Sequence, residues 1–134
     1  MLLEIDHHSG VPIYRQIKDQ IREQIMAGRL KEGEQLVSVR ELALQLKVTP
    51  VTVSKAYSAM EAEGLLERRR GVGLFIAEIQ ADKREQTKEE ILENLLSKAV
   101  TTAIQLGLSH EKTEKMLKEL FLKYRKEREE KSNE

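Results

Sequence analysis

The chain of 134 residues contains no cysteine, no tryptophan and only two prolines, and aromatic residues make up 4% of it. Without cysteine it has no disulfide framework, no thiolate metal site and no thiol nucleophile, which fits the reducing cytoplasm as the expected compartment. No apolar run approaches the ~20 residues of a membrane-spanning helix, so no membrane partner is expected. The first ten residues hold Glu4 and Asp6 but no Lys or Arg, and so lack the basic start of a secretory signal. Charge of one sign is missing too. Lys and Arg number 23 and Asp and Glu 23, for a formal net charge of zero. Bulk attraction to a polyanion is therefore excluded, and any nucleic-acid site must be built locally. His7, His8 and His110 lack metal-ligand spacing, no phosphate-cradling glycine loop is present, and few aromatics disfavour single-strand stacking. No catalytic constellation emerges, so the chain reads as a non-enzyme with no metal and no cofactor.

What is present is helical periodicity with clear punctuation. Ile13, Ile17, Ile21 and Ile25 recur every four residues between charged and amide side chains, a single apolar stripe opened by Pro12 and stopped at Gly28. Residues 30–35 read as a short connector. Ser38 followed by Glu41 forms a capping box for a short helix with Leu42, Ala43 and Leu46 on its apolar face. Thr49 then caps a third helix with Pro50 in its first turn, burying Val53, Ala56, Tyr57 and Met60 and stopping at Gly64. Leu65-Leu66 and Leu74-Phe75-Ile76 bracket a turn that carries Arg68, Arg69, Arg70 and Gly71, the pattern of a β-hairpin. A helix, two helices joined by a tight turn and a hairpin make the order of a winged helix-turn-helix. The expected fold is mainly α with a small β-hairpin: a winged helix-turn-helix domain over residues 1–77, then a linker and two-helix dimerisation hairpin over 78–134.

The polar stretch 80–90 reads as a linker running into a helix capped near Thr87. Beyond it, apolar residues come as adjacent pairs, Ile91/Leu92, Leu95/Leu96, Ala99/Val100 and Ala103/Ile104. Gly107 ends this helix, Ser109 caps the next, and Met116, Leu117, Leu120, Phe121 and Tyr124 form a similarly broad face. The wholly polar tail from Arg125 onward is expected to fray. Two helices alone rarely bury enough apolar surface to be stable. One side of each stripe is thus expected to pack within the hairpin and the other against a second copy, through Leu92, Leu95, Leu96, Ala99, Val100, Ile104, Leu117, Leu120, Phe121 and Tyr124. The alternative is a hairpin folded back on its own N-terminal domain.

Several motifs follow one another at matched spacing: Pro12-Ile13-Tyr14-Arg15-Gln16-Ile17, Leu36-Val37-Ser38-Val39-Arg40-Glu41-Leu42-Ala43, Val48-Thr49-Pro50-Val51-Thr52-Val53, Ala56-Tyr57, Gly64-Leu65-Leu66-Glu67 and Gly71-Val72-Gly73-Leu74-Phe75-Ile76. Over residues 3–77 this resembles the DNA-binding domain of GntR-family bacterial transcription regulators. The short two-helix tail, with Leu106-Gly107-Leu108-Ser109 before a charged amphipathic helix, resembles the YtrA subfamily. The resemblance implies a homodimeric repressor of a small operon, often one encoding an ABC transporter, acting at a palindromic double-stranded operator. It places Ser38, Arg40, Thr49, Thr52 and Ser54 at DNA-contacting positions. It also marks two departures, Val37 where the family usually has Pro and Pro50 where it often has Arg or Asn.

The residues themselves supply physical reasons for a DNA site. Ser38 leaves helix N–H groups facing a phosphate, and Arg40 can offer a bidentate base contact. Lys55 adds a cation from the reading helix, and an exposed Val51 suits a thymine methyl. Arg68, Arg69 and Arg70 on a turn suit the minor groove or its phosphates, with Gly71 permitting close approach, and three adjacent like charges repel one another unless a polyanion is present. Ser38 and Thr49 can serve as helix caps, alone or together with a DNA role, and Arg40 and Thr52 can be solvated surface residues. Two other function classes stand beside this one: a winged-helix adaptor that binds protein, and a regulator with a hydrophobic effector held between C-terminal helices, its effector unknown. Residues 36–60 hold Arg40, Lys47 and Lys55 against Glu41 alone, so the neutral total conceals a basic reading edge.

Overall fold

A computed structural model describes residues 2–132. It shows α1 (Ile13–Met26), α2 (Val39–Leu46), α3 (Pro50–Ala62), a hairpin of β1 (Leu66–Arg69) and β2 (Gly73–Ile76), then α4 (Ala81–Gln105) and α5 (His110–Ser132). This is the mainly helical winged helix-turn-helix architecture that the sequence order implies. The chain divides into two compact units, one running through Glu89 and one from Glu90 onward.

In the first unit the core follows the stripe on α1. Ile17, Ile21 and Ile25 are fully buried, and α1 packs on α3, whose Val53, Ala56, Tyr57 and Met60 are buried as expected. Each such aliphatic side chain contributes about 1.5–3 kcal/mol on burial. Leu42 and Ala43 bury the face of α2 that meets α3, while Leu46 stays half-exposed. The hairpin pairs Leu66 with Ile76 and Arg69 with Gly73, which puts Leu66, Leu74 and Ile76 on one face, while the buried Phe75 lies on the opposite face beneath Arg69.

The connector after α1 does more than span a gap. The Gly33 N–H donates to Ile76 O, the Ile76 N–H to Glu34 O and the Leu36 N–H to Leu74 O, each at 2.9 Å. Residues 33–36 thus cover the free edge of β2, satisfying backbone groups that an exposed edge would leave unpaired. The amino-terminal segment is held by a different device. Gln16, Gln20 and Gln24 stand one turn apart on α1 and bond the backbone of alternate residues: Gln20 Oε1 accepts from the Glu4 N–H at 2.9 Å, Gln16 Oε1 from the Asp6 N–H at 2.8 Å, and Gln24 Nε2 donates to Leu2 O at 3.0 Å. The match between helical period four and strand period two makes this zipper possible.

The expected linker and the cap near Thr87 are replaced by helix. α4 already starts at Ala81, because Arg84 and Thr87 are drawn inward. Arg84 Nη1 donates to Ile25 O at 2.9 Å, while Thr87 is buried and its hydroxyl donates to Lys83 O at 2.8 Å.

In the second unit Ser109 caps α5 as expected, with Oγ accepting from the Lys112 N–H at 3.0 Å. No described side chain from Glu90 onward is buried. The expectation that one side of each stripe packs within the hairpin is therefore corrected. The adjacent apolar pairs spread each face too wide for one neighbour to cover. A groove of about 740 Å³ opens between α4 and α5, lined by residues that include Leu96, Ala103, Leu106, Met116 and Leu120. The tail expected to fray stays helical through Ser132; Asn133 and Glu134, part of that expectation, lie outside the described residues.

Candidate nucleic-acid interface

The reading element is built by local rules. Ser38 Oγ accepts from the Glu41 N–H at 3.2 Å, while the reciprocal bond of a capping box, from the Ser38 N–H to Glu41, is absent among the described residues. α2 closes on Lys47 in the left-handed region (φ 57°), which turns the chain tightly toward α3. Thr49 Oγ1 then accepts from the Thr52 N–H at 3.3 Å and lies 2.9 Å from Thr52 Oγ1, with Pro50 in the first turn. The buried Tyr57 hydroxyl donates to Val37 O at 2.8 Å and ties the start of α2 to α3. Burial first, and then the negative charge of Glu41, push the Tyr57 phenol well above its usual range, so the hydroxyl remains a donor.

This frame leaves Ser38, Arg40, Thr49, Val51, Ser54 and Lys55 exposed and Thr52 half-buried. Arg40 makes no hydrogen bond or ion pair among the described residues, so its guanidinium is free to meet a base edge. Lys55 is engaged: its Nζ sits 4.2 Å from the ring centroid of Tyr14 on α1. Tyr14, which stands inside the first of the matched motifs, thereby touches a side chain expected at the interface.

The three wing arginines differ from one another. Arg68 makes a forked pair with Glu61 of α3, Nη2 to Oε1 at 3.0 Å and Nε to Oε2 at 3.2 Å. These hydrogen bonds, and then the charge of Glu61, raise the proton affinity of Arg68. The Arg69 guanidinium lies 4.0 Å from the Phe75 ring centroid. Arg70 has no partner among the described residues. The repulsion expected within the run is thus relieved inside the chain at two of the three positions. The turn is shaped by Gly71 (φ +77°) and by Gly73, whose φ of +141° is one that residues with a Cβ rarely adopt and where a Cβ would meet the end of the Gln35 side chain at 2.8 Å. Gln35 Nε2 also donates to Val72 O at 3.0 Å and steadies the tip. Neither Glu61 nor Gln35 was legible as a wing residue: Gln35 reaches the tip from 37 residues away, and the pairing of Glu61 depends on how the strand turns back after α3.

No group of three or more His, Asp or Glu side chains among the described residues could hold a metal ion. No helix among them is long and apolar enough to cross a membrane.

With this geometry in view, residues 13–76 match the bacterial regulatory proteins of the gntR family. The chain is 37% identical over 119 residues to the HTH-type transcriptional repressor YtrA of Bacillus subtilis, covering 89% of this chain and 92% of that protein. It superimposes with a TM-score of 0.73, at 32% identity, on a GntR family transcriptional regulator from Listeria monocytogenes, covering 86% of this chain and 98% of the other. The DNA-binding domain of AraR in complex with operator ORX1 matches 57% of this chain and 99% of its own, with a TM-score of 0.52 and 28% identity. These relatives are regulators, not enzymes. The chain belongs to the GntR family and is a DNA-binding transcription regulator with a winged helix-turn-helix fold.

Proposed function

We propose that the chain is a cytoplasmic homodimeric repressor of a small operon that binds a palindromic double-stranded operator, with residues 1–77 reading DNA and 78–134 joining the two copies. The carrying observation is the exposed first turn of α3 beside the free Arg40, on a frame fixed by the Tyr57–Val37 bond. Ser38 and Thr49 keep their capping bonds and still face solvent, so cap and phosphate contact coexist. Thr52, Ser54 and Lys55 line the same helix, and Arg70 and Gly71 form the free part of the wing beside Arg69, which lies over Phe75, and Arg68, which is paired with Glu61. Repression is the function of the Bacillus subtilis relative YtrA.

Support for a second copy comes from the C-terminal unit. Leu92, Leu95, Val100 and Ile104 on α4 are 49–71% exposed, and Leu117, Leu120, Phe121 and Tyr124 on α5 43–56%. A contiguous apolar surface of this kind marks an interface in a folded protein. Leu96 and Ala99 continue it along α4. A hydrophobic effector in the groove between α4 and α5 is the second reading, favoured by its apolar lining.

The test is a shift assay on the promoter DNA upstream of its own gene, with salt titration. Specific retardation is expected, and Arg40→Ala should lower specific affinity by about 1–3 kcal/mol while relaxing base preference. Equal loss on promoter and random duplex would remove Arg40 from base readout. Equal wild-type affinity for both duplexes would overturn the operator reading.

A further inference from the structure

The outward stripe of α3 is chemically unusual for a reading helix. Val51, Ser54, Lys55 and Ser58 follow at helical spacing on the face away from the buried Val53, Ala56, Tyr57 and Met60. None of them is an Asn, Gln or Arg, and of the side chains that pair two-pronged with a base edge only Lys55 is present. The one cation, Lys55, is drawn over Tyr14. The two residues that open the helix are apolar, with Thr52 half-buried and bonded to the Thr49 cap. Pro50 carries no N–H, and the Val51 side chain is 76% exposed. Val39, from the first turn of α2, joins them along a shallow groove of about 540 Å³ that Ser54, Lys55 and Ser58 complete.

An isopropyl group at this place cannot exchange hydrogen bonds with a base. In the major groove the one apolar feature on any base edge is the methyl group at C5 of thymine. Against other base edges, Val51 and Pro50 would strip water from N4, O6 or N7 and return no hydrogen bond, which is the costly outcome. Against a C5-methyl they exclude water from both partners at no such loss.

Resting on the operator-binding reading, we propose that Val51, flanked by Pro50 and Val39, reads a C5-methyl pyrimidine in the major groove, so that each half-site carries a thymine at one fixed position. The recognised chemistry is the methyl group, which 5-methylcytosine presents in the same place. Burying one methyl-sized group corresponds to about fourfold in affinity per half-site.

The experiment begins by enriching a preferred duplex from random DNA with the full chain, then replaces its thymines with uracil one symmetric pair at a time. Uracil removes the methyl and keeps the pairing edge. One symmetric pair should lose about fourfold per half-site, or about sixteenfold for the dimer, with uracil and more with cytosine, and 5-methylcytosine there should bind more tightly than cytosine. Val51→Ala, at a solvent-exposed site and checked for unchanged thermal melting, should bind thymine and uracil duplexes alike. Uracil that costs nothing at every position, an equal uracil penalty in wild type and Val51→Ala, or 5-methylcytosine no better than cytosine would each overturn the methyl reading. Failure to enrich any sequence would overturn the operator reading itself, so the two failures are distinguishable.

Discussion

The wing offers the sharpest prediction, because the structure gives its three arginines different partners. On B-DNA each phosphate contact contributes about 0.9 to the slope of log affinity against log salt. A dimer presents two wings, so removing one contact from each should flatten the slope by about 1.8. Over a fourfold rise in salt, from about 50 to 200 mM, one such contact is worth about 3.5-fold, and two about twelvefold. Arg70→Ala should show this change, since Arg70 has no internal partner. Arg68→Ala should show much less, because Glu61 already offsets its charge at 3.0 Å. Conversely, Glu61→Gln should free Arg68 and steepen the slope. Fluorescence anisotropy of a labelled duplex at five or so salt concentrations reads all three variants. The reasoning is refuted if Arg68→Ala flattens the slope as much as Arg70→Ala, or if Glu61→Gln leaves it unchanged.

The Tyr57–Val37 bond predicts both a stability loss and a pH signature. Tyr57→Phe removes the partner of the half-buried Val37 carbonyl and should lower the unfolding free energy by about 1 kcal/mol in urea titrations. The folded phenol sits above its unfolded value of 10.0, so its stabilising share is complete below that pH and is lost as pH rises past it. Above about pH 10 the wild type should therefore lose stability faster than Tyr57→Phe, by up to about 1.4 kcal/mol per pH unit; parallel curves would sink this. For the C-terminal unit, Leu120→Asp should turn a dimer into a monomer in sedimentation at micromolar concentration while leaving the winged domain folded. A wild type that sediments as a monomer there would dismiss the interface.

Much of the fold was legible because it is written in short-range terms. The four-residue isoleucine stripe, the Ser38, Thr49 and Ser109 caps and the glycine stops at 28, 64 and 107 each act within a turn or two of helix. The exposed positions on α3 could be named from periodicity once its buried face was known. What remained out of reach came from packing between distant residues. Thr87 looked like a cap but is pulled inside a helix that already begins at Ala81, because Arg84 meets the last turn of α1. The connector at residues 33–36 looked idle and instead covers the edge of β2.

The sequence by itself determined the order of elements, their ends and the outward residues of the reading helix, since each depends on backbone rules and local spacing. Tertiary structure alone decided which charges are free. Three adjacent arginines are equivalent as letters, yet folding sets one on Glu61, one over Phe75 and leaves Arg70 open; a lysine on the reading helix comes to rest on Tyr14. Hydrogen-bonded ion pairs and cation–ring contacts need their groups within about 3–6 Å, and only the folded chain says which groups lie that close.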